Sequence, residues 1–526
     1  MRKFKILAVA VALMIMLTAC NTKQLGSDQN PTSPNFDNEI FEDAVDILLN
    51  DEEIKVAGVS AETDAEDAVY IANDIIYYEA GKDFTYGEGE ADDAHSPDVA
   101  AEHTVVHITQ PGMYSISGTL SKGQIAVDLG DGAKKDPNAV VTLILNGIDI
   151  TCEVAPAIIF YNVYECGTDD TENASNDVDT SCAGANIVIA DGTTNTVNGS
   201  YVARIYRPDS VVLNEAGTKV EDAKKLHKYD GAIYSKMSMN IGCKKNTGCL
   251  TINAENEGLD SELHLTINGG IININSGNDG INTNEDGVSV TTINCGELHI
   301  KVNGETGEGD GIDSNGWLVI NGGIVTAQAC SFSADAGIDS DMGIHINGGT
   351  VIATGHMLDK IEDGGQNYAV FTFAEKQDGS KIISLKNEKG DSVIETCPGN
   401  DYSVLIYSSP ELAAGTYTLW SDGEKLSGQR DNMMSRPGMQ GMPNMPFEGI
   451  NPPERPEGQA PDGNMPPEGM EPPQGDFPSE PPAENDWDNR AEDQWKPDHN
   501  KNDRSPQEAT ADFKLSDGGN MFKVVS

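Results

Sequence analysis

Gly311-Ile312-Asp313-Ser314-Asn315-Gly316-Trp317-Leu318-Val319-Ile320-Asn321-Gly322-Gly323-Ile324-Val325-Thr326 decides the fold. Its apolar residues alternate with period two between Gly and Asn punctuation, which reads as short strands joined by turns rather than as helix. The opening element recurs as Ala232-Ile233-Tyr234-Ser235, Gly258-Leu259-Asp260-Ser261, Gly280-Ile281-Asn282-Thr283 and Gly337-Ile338-Asp339-Ser340, with successive starts 26, 22, 31 and 26 residues apart. The Asn-Gly-Gly element recurs in Leu265–Gly270 and Ile344–Gly349, and each copy leads into another short alternating run such as Ile272-Asn273-Ile274. A three-strand unit of this length, repeated without helical period, is a solenoid turn. The LxxLxLxxN signature of leucine-rich repeats is absent, so the expectation is an all-β parallel β-helix whose coils stack about 4.8 Å apart. The Ile or Leu of each opening element then points inward and the next residue outward, while the Asn residues of the Asn-Gly-Gly elements stack at a turn.

Stacking the repeats puts Tyr234, Asp260, Asn282, Asp313 and Asp339 in one outward file. Asp279 and Asp310 form a second file, with Glu257 in the equivalent place and Asp335 one residue earlier; Glu262, Asn284, Asn315 and Asp341 form a third. Carboxylates on neighbouring coils would repel by roughly 3–4 kcal/mol at an effective dielectric of 20. They persist by protonation, by hydrogen bonding or by holding cations. Carboxylate and amide oxygens without His or Cys are the ligand set of a hard cation, and a turn-rich site favours Ca²⁺ over Mg²⁺. The metal candidates are Asp260, Asp279, Asn282, Asp310, Asp313, Asp335 and Asp339; the rival reading is that they cap Gly turns.

The chain has 526 residues and a net charge of −51, from 34 Lys and Arg against 85 Asp and Glu. That charge would repel polyphosphate over most of the surface, which argues against nucleic acid as a partner and suits cations, or polyanions bridged by cations. The 55 Gly against 12 Phe and 4 Trp favour a turn-rich β structure over a helix bundle. An apolar share of 38% fits a folded core with polar extensions.

Six segments follow from the composition. Residues 1–20 carry a basic start and a short apolar run, the anatomy of an export signal. Leu17-Thr18-Ala19-Cys20 resembles the lipobox of bacterial lipoproteins, which implies diacylation of Cys20 and a membrane-anchored, extracellular chain. Residues 21–100 read as an acidic tether with short helices, from the spacing of Phe36, Ile40, Ala44, Val45 and Leu48 and of Val69, Ile71 and Ile75. Residues 101–362 are the β-helix, with excursions at 162–185 and 201–228, and 363–426 are terminal coils or a cap. Residues 427–510 are a disordered segment rich in Pro, Met and Gly, and 511–526 a possible strand pair. Eight cysteines remain after Cys20, enough for full pairing, and Cys243 and Cys249 are the first candidates to pair.

Residues 103–356 resemble the bacterial cell-surface family of carbohydrate-binding domain-containing proteins. The resemblance rests on Gly112–Gly118, Leu145-Asn146-Gly147, Asp191–Asn195, Asp230–Lys236 and the repeats above. It implies a right-handed parallel β-helix similar to family 9 pectate lyases, binding calcium and acidic plant polysaccharide. Tyr234, Lys236 and Trp317 are the substrate-binding candidates. The expected function is a lipid-anchored, monomeric binder of pectin-like uronan through Ca²⁺, with no catalytic residue assigned. One alternative is a calcium-dependent pectate lyase using Lys236 as base, ahead of Lys301 and Lys360. Another is a surface adhesin or spacer with structural calcium.

Overall fold

The repeats pair with one another rather than with their sequence neighbours. The structure, a computed structural model, describes residues 43–431 and 509–525. Each repeat contributes a strand to each of three parallel ladders. The first ladder stacks Thr104–Ile108, Gly123–Asp128, Ile158–Asn162, Gly231–Ser235, Glu257–Ser261, Ile281–Thr283 and Ile312–Ser314. Backbone bonds from Ile312 N–H to Gly337 O and from Asp339 N–H to Ile312 O carry it one repeat further. The second ladder runs from Gly112–Ile116 through Val141–Leu145, Ala185–Ile189, Met239–Gly242, His264–Ile267, Val290–Ile293 and Trp317–Ile320 to Gly343–Ile346. The third ends on Glu297–Val302, Ile324–Gln328 and Thr350–Gly355. Helix is nearly absent; the one α-helix among the described residues is Pro97–Ala100.

Period-two alternation makes the interior. Val106, Ile125, Ile158, Ile233, Leu259, Ile281 and Ile312 are paired in register and fully buried, one above the other. Glycines before several of these residues allow the coils to approach. A Cβ on Gly258 would lie 2.5 Å from Gly280 O, and one on Gly280 2.5 Å from Gly311 O. The Asn stack of the Asn-Gly-Gly turns is present: Asn294 donates to Asn268 at 2.8 Å, Asn321 to Asn294 at 2.9 Å and Asn347 to Asn321 at 2.9 Å.

Two expectations need correction. The segments read as short helices are strands where the structure describes them. Val45–Leu49 pairs in parallel with Tyr114–Gly118, and Val69–Ala72 pairs antiparallel with Val105–Ile108. Both cover the first coil, so from residue 43 the expected tether is an integral end of the stack. Cys243 and Cys249, thiols like every described cysteine, turn to different partners. Cys243 faces Asp191 at 3.3 Å, whereas Cys249 accepts from Asn273 at 3.4 Å. The expected leader with Cys20, and the greater part of 427–510, lie outside the described residues.

At the other end Tyr402–Ser408 turns antiparallel against Val351–Gly355 and stops the third ladder. It pairs also with Tyr368–Gln377, on whose far side Gly519–Val524 adds a parallel strand. Phe513–Leu515 joins Gly415–Tyr417. Phe371, Phe373, Leu405, Leu419, Phe513, Phe522 and their neighbours form a second apolar cluster, so this region is a cap with its own core rather than further coils.

Candidate functional site

Acidic side chains gather on the outer face of the first ladder because every coil presents the residue after its buried Ile or Leu at the same place. Register pairs Tyr234 with Asp260, Asp260 with Asn282 and Asn282 with Asp313. The bonds that continue the ladder set Asp339 beside Asp313. Asn282 divides the file into two clusters of different character.

The first cluster is closed. Carboxylate oxygens of Asp230, Glu257 and Asp260 lie within 4.8 Å of one another, and all three residues are buried. The cover comes from the excursion after Gly199, whose strands Val202–Tyr206 and Lys225–Tyr229 pair with each other, and whose Lys228 ammonium pairs with Asp230. Asn282 donates to Glu257 Oε1 at 3.2 Å and Asn284 to Asp260 Oδ1 at 2.6 Å. Glu257 Oε2, Asp260 Oδ2 and Asn282 Oδ1 are buried with no hydrogen-bond partner. Burial, then mutual repulsion with Asp260 and Asp230, holds the Glu257 carboxyl far above the usual carboxylate range. Burial, then Asp230 and Glu262, does the same to Asp260. Three acids against one lysine leave an excess of two negative charges if all ionise. Orphaned oxygens from two carboxylates and one amide fit a hard divalent cation and fit poorly with a site satisfied by turn capping.

The second cluster is open. Oxygens of Asp310, Asp313 and Asp339 lie within 4.8 Å of one another, and the three side chains are partly exposed. Burial is the first cause that raises each carboxyl, with repulsion adding: Asp310 to about 9, Asp313 to about 6 and Asp339 to about 7. Asp359 acts on both Asp313 and Asp339, and its own Oδ2 is buried without a hydrogen-bond partner. Asp279 accepts from Asp310 N–H at 2.7 Å, and burial raises it to about 7. Asp335 accepts from Gly309 N–H at 2.6 Å. Asp310 likewise accepts from Ala336 N–H, so all three brace the turn; Asp279 and Asp335 differ in standing outside the group of three converging oxygens.

The other candidates fall elsewhere. Tyr234 is 2% exposed, donates to Glu262 at 2.6 Å and packs against Tyr229, so it offers no face for a sugar ring. Trp317 is half-buried at the start of a second-ladder strand. Lys236 is exposed one coil before Asp260 and near His227. Lys301 sits on the third ladder, and Lys360 is exposed and paired with Glu362 at 2.6 Å. The lysine at the acids is Lys228: burial works against its charge, but Asp230, Glu257 and Asp260 together outweigh burial and raise its pKa.

Comparison with known proteins adds the family. The model of the family described as carbohydrate-binding domain-containing protein matches residues 102–393, more than half of the chain. The chain belongs to this family. A curated carbohydrate-binding domain-containing protein of Acetivibrio thermocellus is 32% identical over 171 residues, which are 32% of this chain and 44% of that relative. This chain thus spans under half the length of that relative. A solved structure described as a polysaccharide lyase-like protein from C. thermocellum, in its gadolinium derivative, covers 59% of this chain and 90% of its own, at 20% identity and a TM-score of 0.34. The matched family region contains both acidic clusters and all three ladders, and it runs past Thr350–Gly355 into the cap.

Proposed function

We propose that this carbohydrate-binding family member is an exported, lipid-anchored, right-handed parallel β-helix that binds acidic, pectin-like polysaccharide through Ca²⁺. The observation that carries the reading is the open cluster: Asp310, Asp313 and Asp339 converge within 4.8 Å and remain reachable from solvent. These three, with Asp359 beside them, would hold the ion. Bound there, calcium supplies a positive centre whose remaining positions a uronate carboxylate can share. The closed cluster of Asp230, Glu257, Asp260 and Asn282 would hold an ion that no polysaccharide reaches, which gives calcium a structural as well as a binding role.

The lyase alternative receives less support. The base must sit beside the uronate, whereas Lys236, the residue that reading assigns, follows Ser235, which is three coils before Ser314 and so roughly 14 Å from the open cluster at about 4.8 Å per coil. The adhesin alternative keeps the closed ion and drops the open one.

The deciding experiment incubates the protein with polygalacturonate, with and without calcium, and reads co-sedimentation and ultraviolet absorbance together. Calcium-dependent binding without new absorbance is expected. Absorbance growing with time would establish lyase chemistry. Absence of binding at saturating calcium, with the thermal response to calcium retained, would leave the adhesin or spacer.

A further inference from the structure

The excursion between the first and second ladders leaves the stack after Asn162 and returns at Ala185. Its two legs meet at the base, where Gly184 N–H donates to Tyr164 O at 2.8 Å. Further out it lies over the outward file of the second ladder, which register builds from Asn186, Asn240, Thr266, Thr292, Val319 and His345. The Thr180 hydroxyl bridges Asn240 and Thr266 at 2.7 Å each, and the Asn240 amide donates to Thr180 O at 2.8 Å. Asn176 reaches His345 at 2.9 Å. The segment is a strap across several coils, held by its hydrogen bonds and by its base.

Cysteines stand at that base. Cys166 is two residues beyond Tyr164 on the outgoing leg, and Cys182 is two residues short of Gly184 on the returning leg. Beside Cys166, Glu165 accepts from Ser238 and Gly167 lies against His264; near Cys182, Thr180 bonds Asn240 and Thr266, so both cysteines lie over the same two coils. Burial raises the Cys166 thiol to about 12, and Glu165 and Cys182 add to the rise. Both are thiols in the structure. Three of the remaining cysteines have other neighbours: Cys243 faces Asp191, Cys249 faces Asn273 and Cys397 donates to Ser380 O at 3.3 Å.

We propose that Cys166 and Cys182 are a disulfide-forming pair that locks the strap at its base. Cys182 is the exposed thiol and the one an external disulfide reaches first. Its thiolate attacks one sulfur of the oxidant and releases the other as a thiol. Cys166, on losing its proton, then displaces the oxidant's remaining half. Two protons and two electrons pass from the protein thiols to the oxidant, whose disulfide ends as two thiols. The strap becomes a covalent loop, and its contacts to Asn240, Thr266 and His345 lose the freedom to detach as a flap.

The test treats the whole protein with oxidised glutathione, blocks free thiols with iodoacetamide, digests without reductant and maps the peptides by mass spectrometry. The expected result is one cross-linked species joining Cys166 to Cys182, two hydrogens lighter than the paired thiols and lost on reduction. Alkylation of both residues before any reduction would overturn the proposal, as would a link from either to another cysteine. In Cys182→Ser, unfolded in urea before alkylation, the Cys166 peptide should carry either the iodoacetamide adduct or glutathione; if it is found bridged to another protein cysteine, the pairing is not specific and the proposal fails.

Discussion

The carboxyls on the first ladder tie cation binding to pH. Asp313, Asp279, Asp339 and Asp310 are raised from an ordinary value of 3.8 to about 6, 7, 7 and 9, in each case first by burial. A carboxyl whose folded pKa lies above its unfolded one contributes stability below the unfolded value, and that contribution is lost as pH rises through the folded value. Chelated protein is therefore expected to melt at progressively lower temperature between pH 5 and pH 8. Saturating calcium should flatten this slope, because the ion replaces the departing protons; thermal scans across pH with and without chelator check it. At a hundredfold excess over its dissociation constant, the ion should add about 2.7 kcal/mol. Paired variants separate the clusters. Asp313→Asn with Asp339→Asn should abolish calcium-dependent polygalacturonate binding while keeping part of the thermal response. Asp260→Asn should weaken the thermal response and leave binding largely in place. Equal loss of binding in both variants would contradict the division into open and closed sites. The outward file was legible in the repeat, since alternation alone places Asp260, Asp313 and Asp339. Lys228 was not singled out as part of the cluster, because it arrives on an excursion whose path the repeat does not specify; Asp230 holds the place in its repeat that Asp335 holds in another and was legible there. The same excursion brings Tyr229 against Tyr234, whose solvent exposure could not be read from its own neighbours.

At the scale of strands, the register of each ladder follows from what a slip would do. Moving Ile281–Thr283 by one residue would turn Asn282 inward and Ile281 outward, against a column of fully buried side chains. Ile281→Ala should cost about 2–5 kcal/mol, measured by denaturant unfolding, with the calcium response of the remaining folded protein intact. The parallel pairing of the repeats was readable because the repeat states its period several times over. The N-terminal strands were not, because Ala44, Val45 and Leu48 also fit a helical spacing. What makes Val45–Leu49 a strand is its partner Tyr114–Gly118, some 69 residues later in the chain. Local spacing carries no record of so distant a partner. The cap was obscure for a similar reason: its antiparallel strands alternate as coil strands do, and only the reversed pairing of Tyr402–Ser408 distinguishes them.

Across the whole molecule the stack is closed at both ends, by Val45–Leu49 and Val69–Ala72 at one and by the cap at the other. Phe522 is 3% exposed and stacks on Phe371 at 5.5 Å. Phe522→Ala should cost about 3–5 kcal/mol and should raise binding of an apolar dye as the cap loosens. Cys20→Ala should move the protein from the detergent phase to the aqueous phase, or leave it unprocessed; unchanged partitioning would reject the lipid anchor. The position of Gly519–Val524 also sets an order of events during synthesis. Its partner Tyr368–Phe373 is made about 150 residues earlier. A chain emerging N-terminus first presents every coil before it supplies the strand that completes the cap. Until it does, one flank of Tyr368–Phe373 offers unpaired amides and carbonyls beside exposed phenylalanines, the condition under which nascent chains associate with one another. Messages that end early would therefore yield a well-folded stack with an adhesive end, and sorting complete from incomplete copies would fall to whatever recognises that edge.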